Sequence, residues 1–395
     1  MVDDVRVPGP VPVEIRSRAA LAAEATRQLN VCNACRYCEG LCAVFPSLAR
    51  RDVLSGGDIS QIANLCHDCR ACFDACMYSP PHEFDINLPK TLSAIRESDF
   101  HEYVWPRRMP RLLHGWSGVV VGTVASAAVV VGIAMAKVGP GGLVADHGSV
   151  ASPYALISYP VMLALILVPV VYALVVMGAA ARTYWRTTGD GGLSARGVRA
   201  SLWQAASLRY LRGGGAECYY PDDERPSRVR WWLHMFVAYG FLLCIVSTAA
   251  AGVMQDFLDK PPPYSWASVP VISGVVGGAG LVIGGIGLIA LKTRSSEVTS
   301  FSSMTVKDYG FLVALAYLGL TGLATLLTRT TPAFSIVFLC HLAAVVLAFA
   351  AAPYSKFMHI VYRLLALVRD NMERDAAALS RQPATASKQP ATASK

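Results

Sequence analysis

Six apolar runs of about twenty residues occupy the sequence beyond residue 115, at about 116–138, 154–181, 233–254, 269–291, 309–328 and 334–354. A helix of that length spans the roughly 30 Å hydrocarbon core of a bilayer. Lipid offers a backbone no hydrogen-bond partners, so such runs fold as helices. The composition, 54% hydrophobic and 16% charged, fits a membrane protein with a smaller soluble part. Basic residues orient the bundle. The loop 182–230 carries nine arginines, and 292–308 carries Lys292, Arg294 and Lys307. The intervening loops hold almost none: 139–153 is empty, 255–268 has Lys260 and 329–333 has Arg329. Positive charge stays inside, so both basic loops and both termini are expected in the cytoplasm of a bacterium, with the bundle in its inner (plasma) membrane. The net charge of +8 therefore reads as topology, and no nucleic-acid partner is expected. Residues 1–31 carry charges and prolines without the apolar segment of a signal peptide.

Ahead of the bundle stand two cysteine runs. Cys32, Cys35, Cys38 and Cys42 are spaced C-x2-C-x2-C-x3-C, and Cys66, Cys69, Cys72 and Cys76 repeat that spacing, with Arg36 and Arg70 at matching positions. Three cysteines two apart can wrap one corner of a cubane, and the fourth points away; in two-cluster ferredoxins it ligates the other cluster. The spacing assigns Cys32, Cys35, Cys38 and Cys76 to one [4Fe–4S] cluster, and Cys66, Cys69, Cys72 and Cys42 to a second. Zinc sites usually build from two separated C-x2-C knuckles. Disulfides need an oxidising compartment, which the topology denies. Cys244 and Cys340 read as small apolar packing residues, and Cys218 stands apart from the runs.

The pattern divides the chain into an N-terminal segment and helix (1–29, helical from Glu14 to Leu29), a two-cluster ferredoxin-like domain (30–90), a linker (91–113), a six-helix transmembrane domain (114–369) and a disordered tail (370–395) ending in a doubled QPATASK. Gly56-Gly57 reads as a turn, and Arg107, Arg108 and Arg111 beside Trp105 and Trp116 as an interfacial anchor. The fourth apolar run is rich in glycine (Gly274, Gly277, Gly278, Gly280, Gly284, Gly285, Gly287) but contains no G-x-G-x-x-G. Close helix packing accounts for it better than a nucleotide site.

Ionisable residues at membrane depth are costly and by default functional. His67, His82 and His101 lie in the soluble part, and His114 and His147 flank the first span. His234 falls in the first turn of the third span, His341 inside the sixth, and His359 beyond it. His341 and His359 are five helical turns apart, so they share one face about 27 Å apart if the helix continues through Pro353. Such a face would serve b-type haem. The alternative is an interfacial His359 and a hydrogen-bonded His341.

The stretch HLAAVVLAFAAAPYSKFMHI (341–360) resembles the last haem helix of the cytochrome b subunit of respiratory nitrate reductase. There two histidines ligate two haems, each with a partner on another helix, the partners ten residues apart. His234 matches the first partner, but Cys244 stands where the second would be. The resemblance thus implies one haem b (His234 with His359), with a second possible at His341. The chain as a whole resembles the tricarballylate/citrate-utilisation protein B family. The resemblance is carried by CNACRYCEGLCAVFP (32–46), CHDCRACFDAC (66–76), WWLHMFVAYGFLLC (231–244), DYGFLVALAYLGLTGL (308–323) and the 341–363 segment. It implies a membrane all-α protein, a cytochrome b-like bundle fused to the ferredoxin-like domain. It also implies an electron-transfer subunit of an oxidoreductase system that reoxidises a flavoprotein dehydrogenase and feeds the quinone pool. A role beside a flavoprotein in cobalamin chemistry is implied too. The chain has no flavin or nicotinamide fingerprint, in keeping with a carrier. Rival readings are an iron–sulfur sensor without haem, a transporter with a ferredoxin-like regulatory domain, and electron flow from quinol to the cytoplasm.

Overall fold

The computed structural model describes residues 17–381, apart from 110–114, 144–151, 190, 216–217, 219–225, 295–297 and 300–301. The proline-rich start, Arg111, His114, His147 and the doubled tail lie outside the described residues. Every regular element among those described is helical.

Helix α1 (Arg18–Cys35) places Leu21, Ala25 and Leu29 at four-residue spacing on one buried face. It runs past the expected end at Leu29, so Cys32 and Cys35 sit on its last turn. Arg36, left-handed at φ 56°, stops it. Helices α2 (Val44–Leu48), α3 (Gly56–Leu65) and α4 (Ala71–Asp74) follow. A capping box starts α3: the Ser55 hydroxyl accepts from the Asp58 N–H and the Asp58 carboxylate accepts from the Ser55 N–H. The Gly56-Gly57 pair, expected as a turn, forms the first turn of that helix. At Gly57 a Cβ would lie 2.2 Å from the Thr187 carbonyl oxygen, so glycine there lets α3 touch the end of a membrane helix. Helix α5 (Leu88–Glu102) occupies much of the stretch read as linker; Asn87 caps it, and Leu92 and Ile95 fill the core beside Leu29 and Ile62. Asp99 of α5, fully buried, accepts from Arg18 at 2.7 Å, Ser60 at 3.0 Å and Asn64 at 2.8 Å, tying α5 to α1 and α3.

The bundle consists of α6 (Gly115–Gly142), the short α7 (Pro153–Leu156), α8 (Tyr159–Thr187), α10 (Val229–Asp256), α11 (Val269–Thr293), α12 (Ser302–Leu327) and α13 (Phe334–Ala351), with α9 (Ala195–Ala206) between α8 and α10. Among the described residues six helices are long and apolar enough to cross a membrane. Sequential neighbours α10 to α13 pack in a row, and α13 also packs on α6 and α8. Valines and isoleucines such as Val120, Val168, Ile272 and Ile283 face outward, as lipid requires. The glycines of α11 pack helices. A Cβ on Gly277 would meet the Gly240 carbonyl oxygen of α10 at 2.7 Å.

The apolar stretch does not continue as one helix through Pro353. Helix α13 ends at Ala351, a 3-10 turn spans Ala352–Tyr354, and α14 begins at Met358. Proline removes an N–H and its ring crowds the preceding turn, so the chain breaks there. His341 and His359 therefore stand on separate helices. Helix α14 (Met358–Arg381) leaves the bundle and lies on the N-terminal module, where Ala366 and Leu367 join its core. Asp370 and Glu373 fall in the part read as a disordered tail, yet Asp370 is 1% exposed and bonded to Arg50, while Glu373 bonds Arg51 at 2.7 Å. The helix continues to Arg381 through residues read as the start of the tail.

Candidate functional site

Two hollows adjoin in the N-terminal module. Cys32, Cys35, Cys38 and Cys76 line the first, with Phe45, Tyr78 and Ile86. Cys42, Cys66, Cys69 and Cys72 line the second, with His67, Arg70 and Tyr210, and Cys72 borders both. The first hollow thus takes three cysteines from the first run with Cys72 and Cys76 from the second, and the second hollow takes three from the second run with Cys42 from the first. Left-handed backbone at Arg36 and Arg70, φ 56° and 64°, turns the chain between the second and third cysteines of each run.

The donor chemistry suits iron–sulfur clusters. Five thiols line the first hollow and four the second, Cys72 counting in both, and the hollows enclose about 500 and 440 Å³, open solvent included. Among the described residues no three His, Cys, Asp or Glu side chains converge on one ion position. Burial and neighbouring cysteines push the Cys32 thiol up to about 12 and Cys38 to about 11. Burial likewise pushes Cys69 up to about 12 and holds Cys42 and Cys72 well above the usual range. Thiolates here need adjacent positive charge, which bound iron supplies.

The two sets differ in setting. In the first, Cys35 is exposed, and the neighbouring Tyr37 and Met77 are 68% and 64% exposed. In the second, Cys69 and Arg70 are buried, and Cys218, which follows α9, packs against Cys69.

Beyond the second set lies the histidine pair. His234 sits in the second turn of α10, which starts at Val229, four residues before the expected span, and His359 in the first turn of α14. Their ring centres are 6.3 Å apart and their planes 83° apart. A metal–imidazole bond of about 2.0–2.1 Å, plus roughly 1.1 Å from nitrogen to ring centre, would set two axial imidazoles about 6.3 Å apart. The spacing therefore fits two imidazoles sharing one metal. His359 Nδ1 donates to the Lys356 carbonyl, leaving Nε2 free to ligate. Burial and then the Arg363 guanidinium hold the His359 ring neutral, the ligating form. His234 Nδ1 is buried without a partner.

His341 is elsewhere. Its Nδ1 lies 3.1 Å from Thr321 Oγ1 of α12, and its ring packs where Gly322 leaves room. The pairing of His234 is with His359. Of the soluble-side histidines, His67 bonds the Leu65 carbonyl at 2.8 Å, and burial followed by Arg363 keeps it neutral. His82 packs against Tyr78 and Phe84, and His101 lies 2.9 Å from Lys307.

Three arginines that carry no motif join the second set to the histidines. Arg363 of α14, one turn past His359, donates to the Cys66 carbonyl at 2.9 Å. Arg96 of α5 donates to the same oxygen at 3.2 Å and to the Ala63 carbonyl at 3.0 Å. Arg230 of α10, one turn before His234, donates to the Asp68 carbonyl at 2.6 Å, and its guanidinium lies 3.9 Å from Cys218 Sγ. Burial and then Arg96 lower Arg363 to about 9, which leaves it protonated at neutral pH. In the sequence Arg230 reads as a basic residue near haem depth, Arg230 and Arg363 each stand four residues, one helical turn, from a histidine, and Arg96 lies in what read as linker.

Comparison with known proteins agrees with this architecture. The family model for citrate utilization protein B matches residues 116–380, and the model for its Fer4-like domain matches residues 25–102. Citrate utilization protein B of Escherichia coli is 34% identical over 353 residues, covering 89% of this chain and 92% of that protein. No solved structure matches the chain. A Fer4-like module joined to six apolar helices, matched over nearly the whole length, places this chain in the citrate utilization protein B family.

Proposed function

We propose that this protein carries single electrons from a cytoplasmic flavoprotein dehydrogenase into the quinone pool of the bacterial inner membrane, in the utilisation of citrate or a similar tricarboxylate such as tricarballylate. The tricarboxylate connection comes from the relative's name and the family resemblance. The observation that carries the electron path is the His234–His359 spacing of 6.3 Å beside the second cysteine set.

When bound, two [4Fe–4S] clusters and a b-type haem supply one-electron redox chemistry that no side chain here possesses. The chain's part is to hold and order them. Cys32, Cys35, Cys38 and Cys76 hold one cluster and Cys66, Cys69, Cys72 and Cys42 the other. His234 and His359 would supply two neutral imidazoles to one iron. The Lys356 carbonyl fixes the His359 ring by accepting from Nδ1. His341, bonded to Thr321, has the role of a packing residue. The basic loops keep the N-terminal module and both termini on the cytoplasmic side. The division proposed is a cluster domain at 30–90 and a membrane domain at 114–369, with α5 (Leu88–Glu102) packed into the former and 370–381 part of helix α14.

A pyridine haemochrome titration with a reduced-minus-oxidised spectrum on the purified protein tests this. About one haem b per chain is expected, and His359→Ala should abolish it while both cluster signals persist. Iron–sulfur signals without any haem b would overturn the proposal, and two haems per chain would reopen His341.

A further inference from the structure

The two cysteine sets are not equivalent in charge. Around the second set, guanidiniums arrive from three separate helices: Arg96 from α5, Arg230 from α10 and Arg363 from α14, all donating to carbonyls between Ala63 and Asp68. Arg70, 3% exposed, lines the same hollow. The acidic group in that loop is Asp68. At the first set the corresponding arginine, Arg36, is exposed and donates to the Asn33 carbonyl. Buried cations stabilise whichever redox state of a neighbouring centre carries more negative charge, and low dielectric enlarges the effect. For an iron–sulfur cluster that is the reduced state.

We infer that Arg96, Arg230 and Arg363 make the centre held by Cys66, Cys69, Cys72 and Cys42 the higher-potential, inner centre, which takes electrons from the exposed first centre and hands them toward the His234–His359 pair. Position agrees with charge. Arg363 bonds the Cys66 carbonyl and stands one turn from His359; Arg230 bonds the Asp68 carbonyl and stands one turn from His234. Each therefore bridges the second set to a helix bearing one histidine. The step moves one electron: the first centre is oxidised as the second is reduced, and the iron between the histidines is the next acceptor. This order rests on the carrier function proposed above. The arginines act as positioning and potential-setting residues.

The test is redox titration of the full-length protein followed by electron paramagnetic resonance, with iron and haem content measured alongside. Cys35→Ser, whose altered signal marks the first set, assigns the two midpoints. Arg363→Gln should lower the second set's midpoint by at least a tenfold change in equilibrium, 59 mV for one electron. The first set's midpoint should not move. Arg363→Lys, which keeps the charge, should restore most of the shift, and Arg96→Gln gives an independent second variant. Equal shifts in both centres, no shift in either, or a wild-type second set lying below the first would overturn the order. Wild-type protein without two cluster signals would instead count against the carrier reading itself.

Discussion

The two cysteine runs are near-copies in sequence and opposites in surroundings. Both have the same three spacings and an arginine after the second cysteine, and in both that arginine is left-handed. Yet Arg36 is exposed and Arg70 is 3% exposed; Cys35 is exposed and Cys69 is 8% exposed. Local sequence sets how each run curls around its hollow. What packs on it from afar, Cys218, Tyr210 and α14, sets how wet and how cationic that hollow is. One half is built to meet solvent and the other to meet the membrane domain.

Removing one cysteine from each half should expose this contrast most. Cys35→Ser and Cys69→Ser are each expected to cost the protein about one cluster's iron. The consequences for the fold diverge, because Cys69 packs with Ala71 and Cys218 in a buried junction and Cys35 faces solvent. Cys69→Ser should leave the N-terminal module open to limited proteolysis, whereas Cys35→Ser should stay resistant. Equal protease sensitivity of the two variants would mean that the junction contributes nothing.

The next effect concerns what holds the inner half in place. Helix α14 carries His359 and Arg363 at one end and is anchored at the other by Arg50–Asp370 and Arg51–Glu373. Asp370 is 1% exposed, so Asp370→Ala would leave Arg50 and Arg374 without their shared carboxylate. Breaking a buried pair from one side costs about 3 kcal/mol. That variant should bind haem less tightly and show faster amide exchange along α14, with the first set's signal unchanged. Unaltered exchange would show that apolar packing at Ala366 and Leu367 suffices.

Much of this architecture was legible in the sequence, for physical reasons. Apolar length fixes membrane helices, and ligand spacing fixes which cysteines can share a cubane. His341 and His359 stood out by their five-turn spacing and His234 by the resemblance to the nitrate reductase cytochrome b subunit, but the continuous helix that the spacing assumed is interrupted at Pro353. Contacts between distant segments were not legible. Nothing local in Arg96, Arg363 or Asp370 says that α14 folds back on α3 and α5; their charges read as solvated until the chain closes around them. The glycines of α11 were readable as packing residues because the missing fingerprint left little else, but their partner, Gly240 of α10, was not.

The smallest effect is also the most controlled comparison. Arg36→Ala and Arg70→Ala both leave an alanine in left-handed backbone, so that strain, already present in the native protein at both positions, cancels between them. What remains is the side chain. Arg36 is exposed, bonding the Asn33 carbonyl at 3.0 Å, so its removal should change stability by no more than about 0.5 kcal/mol. Arg70 lies buried against the second hollow, so its loss removes packing and a buried cation, at a cost of roughly 1–3 kcal/mol. Thermal unfolding of the two variants, followed by loss of cluster absorbance, measures the gap directly. A gap near zero would mean that the two runs share an environment as well as a sequence, and the division into outer and inner halves would fail with it.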